Sequence, residues 1–540
     1  MFLVLIATAW LLLSGAQDVR DLGDMARFGN TLFAILAPLQ LVLAMFFSAI
    51  FAAGNVSQEK DRNTLVLLLL TRIRPTELVV GKLAASLVHL FSNFLAVMPI
   101  FFAILTFGGV DLRQVLHCVA ITLTTILLCG TLGTFVAFWR EQTFQALAIS
   151  VLLLVVWLVL GEALAFGLCG EEICGWSART LAETISPWRA ILAITVPMNP
   201  MPLFPGFACA ATLILGVWNI LRVRAWNVQE NRFGEPTIKT ETAVSEAKTK
   251  QSRAMWTNPV LWREVRTHAY GRRAFLVRLA FTLIFALAAV ATFQGLGAFQ
   301  QNVAQEHQAA MQFALRMFVP LALLGLVLVN AQAVTAITGE RSGHAIDLLL
   351  VTDLSPREIL FGKLGGVFWN TREMVVLPLA FLVYFCAVGL FSLEITAYLF
   401  LGLGVLYLFA AVLGIHSGMT YAANRSAIGV SLGTLFFLFV GVAVCLRMML
   451  SLGGSFQAQL QPFLAFMVGG GVAMYLALGA RNPSSAIGLA SFVCPFATFY
   501  AMSALMMDYT LGVFLVVTLT YGFTTAAMLV PALSELDIAS

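Results

Sequence analysis

Apolar runs separated by short polar turns dominate the chain. Most are close to the ~20 residues that cross roughly 30 Å of hydrocarbon as a helix. The pattern predicts membrane segments near 1–13, 31–54, 79–107, 112–138, 144–168 and 203–222. A second set follows at 274–297, 311–337, 358–391, 395–421, 426–450 and 510–531. The polar stretch NVQENRFGEPTIKTETAVSEAKTKQS has no apolar periodicity and reads as a flexible linker. The chain therefore divides into a first transmembrane unit at 1–226, a linker at 227–254 and a second unit at 255–540. The fold class expected is an all-α polytopic membrane protein of about 12 helices, six in each unit.

Composition agrees with this solvent. Hydrophobic residues make up 60% of the chain and charged residues 11%, with mean hydropathy +0.91. A soluble domain carries about 25% charged residues. The net charge of +4 is small, so its distribution is more informative. Arg222, Arg224, Arg232, Lys239, Lys248, Lys250 and Arg253 flank or occupy the linker. Lys60, Arg62, Arg72 and Arg74 follow the second segment, and Arg341 and Arg357 its counterpart. The loops around 107–112, 298–310 and 390–395 are nearly free of Lys and Arg. By the positive-inside rule both units start and end in the cytosol, as does the C-terminus. Nothing in this distribution suits nucleic acid. The expected location is the bacterial cytoplasmic (inner) membrane.

Two regions depart from the simple count. The apolar stretch 451–509, containing Arg481, reads either as a re-entrant or external hairpin or as two further crossings, giving 14. The first segment, about 13 residues or near 20 Å, is short for a bilayer. Cysteines such as Cys118, Cys129, Cys209, Cys386 and Cys445 lie in apolar runs, where they act as small hydrophobes. Cys169 and Cys174 share a predicted external loop, where either a disulfide or two free thiols fit the spacing.

The two units are copies. EKDRNTLVLLLLTRIRPTELVVGKL at 59–83 aligns without a gap with ERSGHAIDLLLVTDLSPREILFGKL at 340–364, each residue meeting its partner 281 positions later. Glu59/Glu340, Thr71/Thr352, Pro75/Pro356, Glu77/Glu358, Gly81/Gly362 and Lys82/Lys363 match, along with several leucines. Chance gives about two matches in such a window. The register persists downstream, pairing Leu132–Gly133 with Leu413–Gly414 and Ser150 with Ser431. An even number of crossings per unit makes these parallel repeats.

Each repeated loop leaves a membrane helix, runs through polar residues, then enters an apolar stretch (LVLLLL; IDLLLV) too short to span. That stretch must bury itself against the membrane interface or a partner protein. Pro75 and Pro356 suit the first turn of the next helix, with Glu77 and Glu358 favourable at its positive end. Gly81 and Gly362 permit close packing, and Lys82 and Lys363 are expected to snorkel to the interface. A further helix is expected before the seventh segment, in WTNPVLWREVRTHAYGRRAF. Asn258 suits its N-cap and Pro259 its first residue. Leu261, Trp262 and Val265 would form its apolar stripe, with Arg263, Arg266, Arg272 and Arg273 toward lipid headgroups; Glu264 belongs to the same helix.

Taken together, the loop resembles that of ATP-binding-cassette permeases of the type-2 exporter class, here with two permease units fused. Glu340, Arg341, Asp347, Leu348, Leu349, Leu350, Thr352, Ser355, Pro356, Glu358, Gly362 and Lys363 follow the family pattern in the second copy. Glu59, Thr64, Thr71, Pro75, Glu77, Gly81 and Lys82 follow it in the first. Asn63 and His344 replace a usual Gly, and Ala345 a usual Thr. The helix at 258–266 resembles the amphipathic elbow that opens such units. The resemblance implies an exporter whose two loops are coupling helices docking on a separate ATPase, two copies of it, with ATP and Mg bound there. The register sets Met1 opposite Thr282, so the elbow of the first copy would lie before residue 1. The expectation is a start downstream of the native one, the rival being a signal peptide cleaved after Ser14-Gly15-Ala16.

No catalytic pattern is present. Gly81–Lys82 and Gly362–Lys363 lack the rest of a phosphate-binding loop, and LSLGGSFQAQ at 450–459 has the wrong order for a nucleotide signature. The six His are dispersed, without metal-ligand spacing. The expectation is thus a permease subunit that is not itself an enzyme and needs no cofactor of its own. Asn93, Glu162, Asn330, Gln332, Asn370 and Glu373 lie within apolar segments, either lining a pathway or joining helices. Two other classes fit the architecture: a secondary transporter of the major-facilitator kind, and a membrane scaffold that keeps the permease fold without transport.

Overall fold

In the computed structural model, residues 21–61, 64–140, 142–165, 172–173, 176–195, 202–227, 258–266, 274–299, 305–342, 353–452, 456–507 and 509–539 are described. The predicted segment 1–13, nearly all of the linker, Asp347, Thr352 and the Cys169/Cys174 pair lie outside them.

The first copy runs α1 (Leu22–Asp61), α2 (Thr64–Leu70), α3 (Pro75–Phe107), α4 (Leu112–Trp139) and α5 (Thr143–Ala165). Two short helices, α6 (Ala178–Ile185) and α7 (Pro187–Thr195), precede α8 (Phe204–Asn227). The second copy opens with α9 (Pro259–Arg266), followed by α10 (Ala274–Phe299), α11 (Gln305–Ser342), α12 (Pro356–Asn370), α13 (Arg372–Ala387) and α14 (Leu393–Thr420). Next come α15 (Asn424–Leu435), a π-turn at Phe436–Gly441 and α16 (Val442–Leu452), and the copy ends with α17 (Phe456–Leu478), α18 (Ser485–Met506) and α19 (Thr510–Ala539). Among the described residues, extended pairing is confined to Glu172–Ile173 against Trp176–Ser177. Twelve of these helices are long and apolar enough to cross a membrane, and α12–α13 make a thirteenth if that bent pair is one span. The chain is an all-α, multi-pass membrane protein.

The duplication is structural. The α1–α4 pairing of the first copy returns as α11–α14 in the second. A Cβ on Gly133 would collide with the Ala49 carbonyl oxygen, and one on Gly414 would lie 2.8 Å from the Asn330 carbonyl oxygen. Ala49 and Asn330 keep the same 281-residue spacing as the two glycines. The repeated Leu–Gly pair thus marks where two backbones touch. Asn330 also donates to Ala410 O at 2.8 Å and accepts from Ser431 at 2.9 Å, which ties α11 to both α14 and α15. The copies meet crosswise, α1 against α15 and α11 against α5. Phe46 and Phe47 stand 5.8 and 5.6 Å from Phe436 across this seam.

Three details go beyond the pattern. First, the stretch 451–509 supplies two helices of spanning length, α17 and α18, packed on each other, with α18 also packed on α19. The first copy has α6 and α7 in the corresponding place. The last helix of each copy nevertheless occupies the same position, α8 against α4 and α19 against α14. Among the described residues, twelve span-length helices are therefore distributed unequally, five before the linker and seven after it, besides the bent pair.

Second, the span expected at 358–391 is bent by 63° between α12 and α13. Arg278 donates to the Asn370 carbonyl at 3.1 Å and pairs with Glu373 at 3.4 Å, drawing that carbonyl out of the helical ladder. In the first copy His89–Leu90–Phe91–Ser92 stand at these positions and α3 is continuous. Third, Pro378 removes the N–H that the Met374 carbonyl would accept, and the Tyr407 hydroxyl donates to that oxygen instead, at 3.0 Å.

Candidate functional site

The repeated loop leaves and re-enters the bundle beside a charged hub. In the first copy Glu59, in the last turn of α1, forms an ion pair with Lys82 in the second turn of α3. In the second copy Glu340 of α11 pairs with Lys363 of α12 at 2.5 Å. The four residues hold one register, so duplicated letters have become a duplicated clamp across the mouth of each loop. Lys82 and Lys363 were expected to snorkel to the interface; both are instead held by these carboxylates. An ammonium drawn out of water persists only where a carboxylate pairs it, and each glutamate supplies that partner.

The next residue in each copy completes the hub. Lys60 Nζ donates to Phe138 O at 2.5 Å and to Arg140 O at 2.9 Å, at the C-terminal end of α4. Arg341 donates to Met419 O at 3.0 Å and Tyr421 O at 3.2 Å, at the end of α14. A cation there satisfies carbonyls that lack helical partners and opposes the negative end of the helix. In the sequence, Lys60 only orients the chain, and Arg341 orients it and follows the family pattern. Their role was legible in one signal, a cation at matching positions in both copies beside the matching glutamates.

Between the jaws of the first clamp, the apolar run LVLLLL folds as α2. Thr64 donates to Glu59 O at 3.2 Å where α2 begins, and Thr71 closes the helix through Leu68 O at 2.6 Å. Leu65 is buried, whereas Leu67 and Leu70 are 61% and 71% exposed. Two leucines on a seven-residue helix are thus left uncovered by the chain itself. The counterpart run at 343–352 lies outside the described residues.

Helix starts after the loops follow the sequence logic. Ser355 and Glu358 form a reciprocal capping box around Pro356, Ser355 Oγ accepting at 3.3 Å and Glu358 Oε2 at 2.9 Å. In the first copy Glu77 Oε2 accepts from the Arg74 N–H at 3.1 Å, ahead of Pro75.

The helix at 259–266 takes a different place from the one expected. Asn258 caps it through the Leu261 N–H at 3.0 Å and donates to Glu358 O at 2.8 Å. Its inward residues are Val260, Leu261 and Glu264, not the stripe of Leu261, Trp262 and Val265. They lie on a glycine face of α12: a Cβ at Gly362 would sit 2.8 Å from Val260 Cβ, one at Gly365 2.8 Å from Leu261 Cδ1, and one at Gly366 2.7 Å from Glu264 Cβ. Arg263, expected to face headgroups, instead pairs with Glu340 and with Glu264 at 3.1 Å. Glu264 reaches Lys363 at 2.5 Å. The correction has a simple cause: close approach on three glycines brings a carboxylate within reach of a buried ammonium, and Coulomb attraction in that medium outweighs headgroup contact.

This four-membered cluster is deep. Lys363 and Glu264 side chains are 2% and 0% exposed, against 21% and 23% for Lys82 and Glu59. Burial alone would raise the Glu264 carboxyl, but Lys363 and Arg263 outweigh it and hold it below the ordinary carboxylate range. Burial likewise opposes the charge on Arg263, and Glu340 and Glu264 more than restore it.

The polar residues inside the apolar segments mostly join helices. Glu162 pairs with Arg189 of α7, Asn370 and Glu373 with Arg278, and Asn330 with α14 and α15. Asn93 is exposed. Gln332 is fully buried with neither amide atom hydrogen-bonded. No group of three or more metal-ligating side chains occurs among the described residues.

No model of a known protein family matches the chain, no curated protein matches it, and no solved structure matches it.

Proposed function

We propose that the chain is the membrane-spanning permease subunit of an ATP-driven exporter of the ATP-binding-cassette type-2 class. Its two repeated loops are the docking elements for two copies of a separate ATPase subunit, which binds the ATP and Mg. The chain forms the translocation path and carries no ATPase chemistry of its own. In this reading it resides in the bacterial cytoplasmic membrane, with the loops, the linker and the C-terminus on the cytosolic side.

The observation that carries the reading is α2 with its anchor. An apolar helix too short to span starts on the Glu59 carbonyl beside the hub, and turns Leu67 and Leu70 outward. A partner's apolar groove is the natural cover for such a pair. The hub gives force on α2 a stiff route into the bundle, because Glu59 and Lys60 bind α3 and the end of α4 together. Crosswise packing of α1 on α15 and α11 on α5 supports two like halves working across a seam.

Co-purification of the full chain with an ATP-binding-cassette ATPase, followed by vanadate-sensitive hydrolysis, tests the proposal. Leu67→Glu with Leu70→Glu should abolish co-purification while leaving the bundle folded. Substrate movement driven by a proton gradient without any ATPase would refute it and favour the secondary-transporter class.

A further inference from the structure

The turn between α2 and α3 is basic, and its counterpart in the second copy is not. Arg72 and Arg74 are exposed there, where the second copy has Asp353 and Ser355, with Arg357 beside them. Helix α8 packs on α3 and ends at this turn, Arg224 donating to Ile73 O at 3.3 Å. Arg222 is exposed as well and lies over the Trp218 ring, 5.4 Å from its centroid. In the second copy α19 holds the position of α8, and its last turns carry Glu535 and Asp537. Glu77 at the start of α3 is matched by Glu358, so the excess of positive charge stays with the first copy.

The depth of these cations follows from α8. Leu213, Ile214, Val217 and Leu221 are exposed on a helix of spanning length, a face that suits hydrocarbon. Trp218 shares that exposure, and Trp226 follows about two turns later. Tryptophans so placed sit at headgroup level, and Arg222 and Arg224 fall between them in the chain. Beneath Arg72 and Arg74, Val80 and Val88 of α3 are exposed too. The guanidinium fork matches a phosphate in two parallel hydrogen bonds. An acidic protein would meet the arginines and leave the apolar faces below them bare; a phosphodiester with acyl chains meets both.

We propose that Arg72, Arg74, Arg222 and Arg224 form a binding site for the headgroup of an anionic phospholipid, whose acyl chains lie along the exposed faces of α3 and α8. The bound lipid ties the turn after α2 to the end of α8, reinforcing the contact that Arg224 makes with Ile73 O. The inference rests on the chain spanning a membrane, not on what it transports or on whether an ATPase binds α2.

The probe is phosphatidylglycerol carrying a diazirine on one acyl chain, added in trace amount to the full-length chain in phosphatidylcholine nanodiscs. Adducts on the α3 and α8 peptides are read by mass spectrometry. Unlabelled phosphatidylglycerol should displace them, and further phosphatidylcholine should not. Arg72→Gln, Arg74→Gln, Arg222→Gln and Arg224→Gln together should lower the yield about tenfold or more. Labelling of α10, whose Leu283, Leu287 and Phe293 are exposed, should stay constant and reports that the bundle is folded. Lysine at all four positions keeps the charge and should hold the yield within about threefold of the parent. Equal displacement by the two lipids, or a yield unchanged by the four Gln substitutions, would overturn the proposal. Displacement by glycerol 1-phosphate would also overturn it, by making the site one for a soluble anion. So would labelling that emerges only once Glu230, Glu235, Glu241 and Glu246 are changed to Gln, since linker carboxylates would then hold the arginines.

Discussion

Glu340 reaches Lys363 at 2.5 Å across the mouth of the second loop, and the pair is sealed beneath α9. Its twin, Glu59 with Lys82, closes the first loop with both side chains partly exposed. One ion pair in two dielectric settings makes the chain its own control.

Lys363→Met removes the cation between Glu264 and Glu340 and leaves buried negative charge underpaired, a loss of about 3–5 kcal/mol. Lys82→Met breaks a less deeply buried pair and should cost less, about 1 kcal/mol. Thermal unfolding of the detergent-purified variants should rank them so; equal losses would contradict the difference in burial.

Glycine substitutions should also split by copy. Gly362→Ala drives a methyl to within 2.8 Å of Val260 Cβ and should cost about 1–3 kcal/mol. Gly81→Ala meets open space on a helix and should be neutral or stabilising by up to about 1 kcal/mol. The readout is again the unfolding midpoint, and destabilisation by Gly81→Ala would show that the position is occupied within the isolated chain.

The elbow's docking should resist mild acid. Lys363 and Arg263 hold Glu264 below the ordinary carboxylate value, despite burial. A carboxyl so depressed contributes stability above its unfolded pKa, and that contribution fades as pH falls through the lower folded value. Arg263 is held more firmly protonated, so it adds no pH dependence in this range. A nitroxide at Arg266 should stay immobile from neutral pH down to the ordinary carboxylate range of about 4.3, and loosen only below it. Release at neutral pH would mean the cluster does not hold α9.

Tyr407→Phe should leave the Met374 carbonyl without a donor, at about 1–3 kcal/mol. In a Pro378→Ala background the ladder N–H returns, so the same substitution should cost much less. A double-mutant cycle on unfolding midpoints decides; additive losses would remove the hydroxyl from its assigned role.

The architecture was legible because hydrophobic thickness is a one-dimensional constraint: a run long enough to cross must be a helix, whatever surrounds it. Duplication was equally legible, since the offset joining Glu59 to Glu340 needs only the letters. Helix starts at Pro259 and Pro356 could also be read, because caps act within one turn. The sequence by itself therefore determined most of the spans, the repeat and these caps. Only the tertiary structure decided that Arg263 turns inward, that α12 and α13 bend at Thr371 beside Arg278, and that Lys82 stays partly exposed while Lys363 is sealed. Each depends on what approaches from a distant segment. The free energy of a charge is set by the dielectric and the partners around it, which no local pattern encodes.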